Sequence, residues 1–417
     1  MAWHAGPAVC LLLGSHEGNE SLSEQLSLYE RKNANEKALH VSASQGSWPP
    51  KTRIVDATQI RPSMVRRLTR LPGVGRLSPA TTADRIINRV WDYRRMLSIQ
   101  ADDFDLFHIV DHSYAHLVTV LPPDRSLVMC HDVDAFAGVL PGTEGQSIVG
   151  KLLGERLLAG LVLARKIVCG SHATRDALLA SQILEPSRVT VVPYGLHPSC
   201  TPRPDPRADE VASRHLGPSD VNCPEILHVG STVRRKRIDV ILDVVASLRQ
   251  RHPSLRLIRV GGEFTREQSR HVARRGLQRH ITVLPFLERR VLAAVYRRAA
   301  VVLQPSDREG FGLPVAEAMA CGTPVVASDL KPLREVGGKV ASYCPVGDVR
   351  AWTDTVSALL DERRADGAAW AARRAAAVAD ARRFDALEHA RKILDVYREL
   401  LPGLADSDDI DSVATAV

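Results

Sequence analysis

Two carboxylates, Glu309 and Glu317, stand in the densest cluster of chemically useful residues in this chain: Gln304-Pro305-Ser306-Asp307-Arg308-Glu309-Gly310-Phe311-Gly312-Leu313-Pro314-Val315-Ala316-Glu317. A strand is expected to end at Leu303, a glycine-bearing loop to follow, and a helix to begin near Leu313. Pro314 would take the first helical position, where its missing N–H costs nothing. Unpaired N–H groups at a helix start, approached through small glycines, form an anion site suited to a diphosphate or the polar face of a sugar. On this reading Glu317 lies in the first helical turn and Glu309 in the loop before it. Two carboxylates facing one pocket can accept hydrogen bonds from several ligand hydroxyls. The same residues allow plainer readings, with Glu317 a dipole partner of the helix start and Glu309 a solvated loop charge. A glycosidase acid–nucleophile pair needs its carboxylates about 5–9 Å apart on opposite sides of a sugar, and nothing else in the chain supports it.

A second cluster, His228-Val229-Gly230-Ser231-Thr232-Val233-Arg234-Arg235-Lys236, follows another strand-like run. The chain holds 55 lysines and arginines, of which only nine are lysines. That bias reads as the mark of a GC-rich bacterial coding sequence, and it makes Lys236 more telling than any single arginine. A compact ammonium suits a point contact to phosphate; the plainer reading is a solvated run of charge. In the first half, Gly14-Ser15-His16-Glu17-Gly18-Asn19-Glu20-Ser21 leads from a strand towards a helix. Asp111-His112-Ser113 and Met129-Cys130-His131-Asp132 each follow a strand end, where ligands gather in open α/β sheets.

The elements that must position these groups alternate between short apolar runs and helical stretches, the pattern of parallel sheets with crossover helices. Strands are expected at 8–13, 106–110, 126–130, 166–169 and 189–192, then at 225–229, 255–260, 281–284, 301–303 and 324–327. Helices are expected at 171–181, 238–251, 266–275, 288–298, 313–321 and 349–360. Between the halves, residues 198–224 carry six prolines. Proline fixes φ and removes a donor, so this stretch reads as an extended linker. The organisation expected is an N-terminal domain over 1–197, the linker over 198–224, a C-terminal domain over 225–382, a helix over 383–404 and a flexible tail over 405–417.

The chain has 417 residues, 45% hydrophobic and 25% charged, with a formal net charge of +7. That composition suits a globular protein of two or three domains and excludes a disordered one. Seven scattered cysteines without a Cys-x-x-Cys pair argue against a disulfide framework or a structural zinc site. No uncharged apolar run reaches membrane-spanning length; the longest candidate, Ile148 to Cys169, contains five charged residues and reads as a buried or amphipathic helix. A cytoplasmic protein is expected, with a candidate contact to the inner membrane face through Arg61–Leu71, where Arg66, Arg67 and Arg70 flank apolar positions. Nucleic acid is not an expected partner, because aromatic stacking platforms and reading motifs are missing.

The Glu-(x)7-Glu element, the Pro-Ser before it and Cys321-Gly322-Thr323-Pro324-Val325 after it resemble glycosyltransferase family 4. These are retaining, metal-independent enzymes that use nucleotide-sugar donors. The resemblance implies an α/β fold of GT-B type: two Rossmann-like domains facing across a cleft, with a C-terminal helix crossing back to the N-terminal domain. It places the catalytic candidates at Glu309, on donor-sugar hydroxyls, and at His131, on the donor sugar or its developing positive charge. Gly310, Phe311, Gly312 and Leu313 would hold sugar and phosphate through their amides, and Glu317 would bind the ribose. Gly230, Ser231, Arg235 and Lys236 would meet the diphosphate. Many members carry arginine where Ser231 stands here, so either Arg234 or Arg235 supplies the second charge.

Pro285, Phe286 and Leu287 match the loop that reads the nucleobase, while Gly18, Asn19, Glu20, Asp111 and His112 lie on the acceptor side. No Asp-x-Asp element sits beside the diphosphate motifs, and no cofactor or metal is expected. The partners implied are a nucleotide-sugar donor and a hydroxyl-bearing acceptor: a glycan, a lipid-linked sugar or a small molecule. The competing expectation is a catalytically silent protein of the same fold that binds a sugar nucleotide or a protein without turnover. Sugar, nucleotide, acceptor and oligomeric state are not legible in the sequence.

Overall fold

The computed structural model describes residues 8–12, 39–40, 56–60, 65–70, 80, 83–84, 87–99, 102–140, 148–220 and 222–402. The chain divides into two compact units, the first made of residues 1–193 and 389–417 and the second of residues 194–388.

In unit 1 the strands are β1 Ala8–Leu12, β2 Leu39–His40, β3 Asp56–Ile60, β4 Leu106–Ile109, β5 Ser126–Cys130, β6 Lys166–Cys169 and β7 Val189–Val191. They form one sheet in the order β2-β3-β1-β4-β5-β6-β7, parallel except for the β2–β3 pair. A parallel sheet covered by helices on both faces demands continuous apolar strands; β4 and β5 are buried at every position. The strands of the first half predicted from sequence are present within one residue at each end, whereas β2 and β3 carry no prediction. Phe107, Ile109, Val128, Leu161 and Ile167 belong to one core cluster.

The stretch Ile148 to Cys169 is not a single helix. A helix, Ile148–Leu163, gives way to β6. It packs closely on the 3-10 helix His112–Val120, because a Cβ on Gly160 would sit 2.0 Å from the Ala115 carbonyl oxygen. Among the described residues no helix is long and apolar enough to cross a membrane. Of Arg61–Leu71, residues 65–70 are described, and they contain a 3-10 turn, Leu68–Arg70, in place of an amphipathic helix. Asp84 explains the turn: its carboxylate accepts from the N–H groups of Arg67, Leu68 and Thr69. Arg67 is further engaged with Asp92 through two 2.7 Å bonds.

In unit 2 the strands are β8 Glu225–Val229, β9 Arg256–Val260, β10 Ile281–Leu284, β11 Val301–Gln304, β12 Val325–Ser328 and β13 Ser342–Cys344. All run parallel in the order β10-β9-β8-β11-β12-β13. The chain builds outwards from β8 in one direction and then returns to β11 to build in the other. The sheet therefore has a switch point between β8 and β11, the place where open α/β sheets bind ligands beyond their carboxyl ends. Ile226, Ile241, Leu257, Leu303, Val326 and Trp352 lie in its core cluster.

The proline-rich stretch corrects an expectation. Residues 206–216 form a helix, Pro206–Leu216, with Pro206 in its first turn and Asp205 accepting from Ala208 N–H as its N-cap. Proline is harmless at a helix start, and the helix is fixed by ion pairs of Asp205 with Arg290 and Asp209 with Arg297. The last described helix, Ala386–Leu400, leaves unit 2 and from His389 onwards belongs to unit 1. There Tyr397 OH meets His108 Nδ1 at 2.8 Å, and His389 Nδ1 donates to the Pro193 carbonyl at 2.8 Å. Residues 403–417, which include the expected tail, lie outside the described residues.

Candidate functional site

The loops after β8 and β11, on either side of the switch point, build a charged cluster in unit 2. After β8 the chain forms a one-turn 3-10 helix, Arg234–Lys236, which ends in the left-handed residue Arg237. Lys236 is buried, and its Nζ lies 2.5 Å from Glu309 Oε1. Arg235 donates through Nη1 to Glu309 Oε2 at 3.1 Å and to the Arg308 carbonyl at 3.1 Å. Arg234 is exposed. Of the two arginines, Arg235 is the one that shares Glu309 with Lys236.

Glu309 also accepts from Ser306 Oγ and Gln304 Nε2, each at 2.7 Å. Burial alone would raise its pKa. The charges of Lys236 and Arg235, with hydrogen bonds from Lys236 and Ser306, outweigh burial and hold the carboxylate below its ordinary value. Two cations against one ionised carboxylate leave the cluster net positive.

Beside it, the helix Leu313–Ala320 begins at the left-handed N-cap Gly312, with φ +103° and no side-chain cap. A Cβ there would lie 2.5 Å from Leu333 Cδ2, so both conformation and space demand glycine. Gly310, Phe311 and Gly312 are buried. Phe311 packs edge-on against Tyr194 and Phe384, at centroid distances of 4.8 and 5.6 Å.

Pro314 takes the second helical position and Glu317 the fifth. The expected first-turn glutamate is thus a second-turn residue, and no acid lies in the first turn. This excludes the simple dipole reading, because that effect fades beyond the terminal turn. Glu317 is 5% exposed and pairs with Arg289 Nη1 at 3.0 Å and Tyr296 OH at 2.8 Å. Burial raises its pKa, and Arg289 and Tyr296 offset this only in part. The two glutamates thus belong to separate hydrogen-bonding sets. Pro285 and Phe286 are exposed and Leu287 is partly so, at the carboxyl end of the edge strand β10. Arg289 and Tyr296 carry no motif signal, and chain folding alone brings them to Glu317, whereas Gln304 opens the motif run itself.

Unit 1 presents a different cluster beyond β4 and β5. Asp111 caps the 3-10 helix His112–Val120 by accepting from Ser113 N–H at 2.8 Å. Although burial opposes ionisation, the neighbouring His112 and His131 and the bonds from Ser113 keep Asp111 below its ordinary value. His112 Nδ1 accepts the His131 backbone N–H at 3.2 Å. The neutral ring therefore carries its proton on Nε2, which lies 3.7 Å from Asp132 Oδ1. Burial lowers the pKa of His112, while Asp132 and Asp111 pull it upwards. His131 donates from Nε2 to the Val110 carbonyl at 2.7 Å, which fixes its ring. Gly18, Asn19 and Glu20 lie outside the described residues. No group of three or more metal-ligating side chains occurs among the described residues.

Comparison with known proteins bears on the fold and the family. The structure resembles Anabaena HepE, solved with UDP and glucose, at a TM-score of 0.64 and 17% identity, covering 94% of this chain and 99% of that one. It also resembles sucrose-phosphate synthase from Thermosynechococcus elongatus at a TM-score of 0.65 and 19% identity, covering 94% and 99%. These likenesses show the GT-B fold. Residues 214–376 match the family model "Glycosyl transferases group 1". D-inositol 3-phosphate glycosyltransferase 1 of Catenulispora acidiphila is 31% identical over 319 residues, 72% of this chain and 73% of that protein. D-inositol 3-phosphate glycosyltransferase of Xylanimonas cellulosilytica is 34% identical over 265 residues, and the match spans 60% of each chain. The chain belongs to the group 1 glycosyl transferases, glycosyltransferase family 4.

Proposed function

We propose that this chain is a retaining glycosyltransferase that moves a sugar from a nucleoside-diphosphate sugar to an acceptor hydroxyl without a metal ion. The observation that carries the reading is the Lys236–Glu309–Arg235 cluster beside the uncapped helix start at Leu313. Before donor binding, Glu309 holds both cations at the switch point. An arriving diphosphate takes over those cations, which frees the carboxylate to accept hydrogen bonds from sugar hydroxyls. Lys236, Arg235 and the helix start then stabilise the charge that develops on the departing diphosphate. The bond from the anomeric carbon to the diphosphate oxygen loosens, and positive charge builds on the sugar. The acceptor hydroxyl attacks from the same face, and its proton leaves with the departing phosphate oxygen.

HepE, whose structure holds UDP and glucose, puts UDP-glucose first in a donor panel that also contains GDP and ADP sugars. The names of the relatives put D-inositol 3-phosphate first among acceptors. Purified protein is incubated with these pairs in EDTA, and the configuration of the product is read by NMR. Turnover in EDTA with retained configuration is the expected result. Inversion would remove the retaining mechanism, and activity that returns only on adding Mg²⁺ or Mn²⁺ would remove metal independence. Nucleotide binding without turnover across the panel would point to a silent protein, and no binding at all would sink the proposal.

A further inference from the structure

Arg259 is a cation at the next-to-last position of β9, yet it is only 1% exposed and makes no ion pair within 4 Å among the described residues. Its guanidinium turns to backbone instead. Nη2 donates to the Gly230 carbonyl at 2.9 Å and the Gly261 carbonyl at 3.3 Å, and Nη1 donates to the Gly262 carbonyl. Phe264 covers it, with the guanidinium carbon 5.3 Å from the ring centroid. Three carbonyls from the turns after β8 and β9 thus converge on one side chain. The two turns can approach this closely because Gly261 lacks a side chain: a Cβ would lie 2.3 Å from the Gly230 oxygen, and φ is +121°.

In a trans peptide the N–H points opposite to the C=O, and no described peptide is cis. Anchoring the carbonyls of Gly230, Gly261 and Gly262 on Arg259 therefore turns the N–H groups of Ser231, Gly262 and Glu263 away from it. None of these three N–H groups has a hydrogen-bond acceptor among the described residues. Successive outward N–H groups form an anion-binding concavity. Lys236 borders it, since its Cε lies 3.7 Å from the place of a Gly230 Cβ. His228 lies beneath the same glycine, fully buried, with neither ring nitrogen hydrogen-bonded. Burial, with Arg259 and Lys236 nearby, lowers its pKa to about 3, so a neutral ring fills the floor. Glu263, the acid on the same turn, is exposed, and its attraction for Arg259 is outweighed by burial.

We infer that Arg259 is a positioning residue: by gathering the Gly230, Gly261 and Gly262 carbonyls it presents the Ser231, Gly262 and Glu263 N–H groups as a cradle for the diphosphate of a nucleoside-diphosphate ligand. The inference rests on the donor reading above, but it concerns how phosphate is held and not whether sugar is transferred.

The test uses the full chain and whichever of UDP, GDP or ADP binds the wild type most tightly by calorimetry, together with the matching nucleoside. Arg259→Lys keeps the charge but cannot span three carbonyls, and Arg259→Met keeps the apolar stem. Both are expected to lose about tenfold or more in diphosphate affinity, as hydrogen bonds to a charged ligand fail, while nucleoside affinity stays within about twofold. Wild-type diphosphate affinity in a folded Arg259→Lys would overturn the inference, because charge alone would then suffice. Amide exchange on the wild type serves even where a variant does not fold. The diphosphate should protect the amides of residues 231, 262 and 263 while the nucleoside does not; amides left unprotected by a bound diphosphate overturn it. A wild type that binds no nucleoside diphosphate overturns the donor reading as well, and is told apart by that result.

Discussion

Units 1 and 2 share a plan, a parallel sheet whose strand ends carry the polar residues, but the two polar clusters differ in kind. In unit 2 the groups are fully charged and paired by side chain: Lys236 and Arg235 on Glu309. In unit 1 they are imidazoles and carboxylates whose best bonds go to backbone, His131 to Val110 and Asp111 to Ser113. A cluster with net positive charge and exchangeable partners suits the capture of an anion. Rings fixed by main-chain bonds suit the orientation of a group during a reaction. The same scaffold thus carries paired charges at one set of strand ends and backbone-anchored polar groups at the other.

The largest effect should separate these two roles. Lys236→Ala is expected to weaken nucleoside-diphosphate binding about tenfold to a hundredfold, the size of a lost charge-assisted contact. His131→Ala should instead lower kcat and leave that affinity alone. Calorimetry and turnover on both variants decide it; equal losses of affinity would erase the distinction.

A smaller effect is expected from Glu317→Gln, because the amide can still meet Tyr296 while losing the ionic part of the Arg289 pair. If Glu317 reads the ribose, the variant should bind a nucleoside diphosphate and its 2′-deoxy form almost equally. An undiminished preference for ribose would remove that role.

A last effect is on stability, and it treats the units alike. His108 in unit 1 and His228 in unit 2 are both buried, and burial lowers each pKa to about 3. Unfolded histidine titrates near 6.5, so below that pH the unfolded chain binds protons that the folded chain does not. Stability contributed by the neutral rings is complete above about pH 6.5 and falls as pH drops towards about 3, by up to about 1.4 kcal/mol per pH unit for each histidine. Urea midpoints measured from pH 7.5 to 4.5 should fall, and less steeply in His108→Gln or His228→Gln. A pH-independent midpoint in the wild type would contradict the burial of both rings.

Much of the fold was legible because parallel strands buried on both faces must be continuous apolar runs. The ends of β5, β6, β8 and β10 match the expected spans residue for residue. The strands Asp56–Ile60 and Ser342–Cys344 escaped notice because polar and small residues dilute their apolar pattern. The proline-rich stretch misled for a related reason: Pro206 marks a helix start as readily as an extended chain. Within the site, the motif residues Lys236 and Glu309 announced themselves by type and neighbourhood. Arg289 and Tyr296 did not, since each lies more than 20 residues from Glu317 along the chain.

The sequence by itself determined where charge, glycine and strand ends would fall, because residue type and local spacing govern turns, caps and strand cores. It also determined the family, through a run of motif residues on a single loop and helix. Tertiary structure alone decided which arginine joins Lys236, that Glu317 is a second-turn residue paired with Arg289, and that Arg259 is buried. A charged residue within a strand looks solvent-facing until the turns after neighbouring strands close over it. The turns closed by Arg259, after β8 and β9, lie about 30 residues apart in sequence and are brought together by the parallel crossover between them.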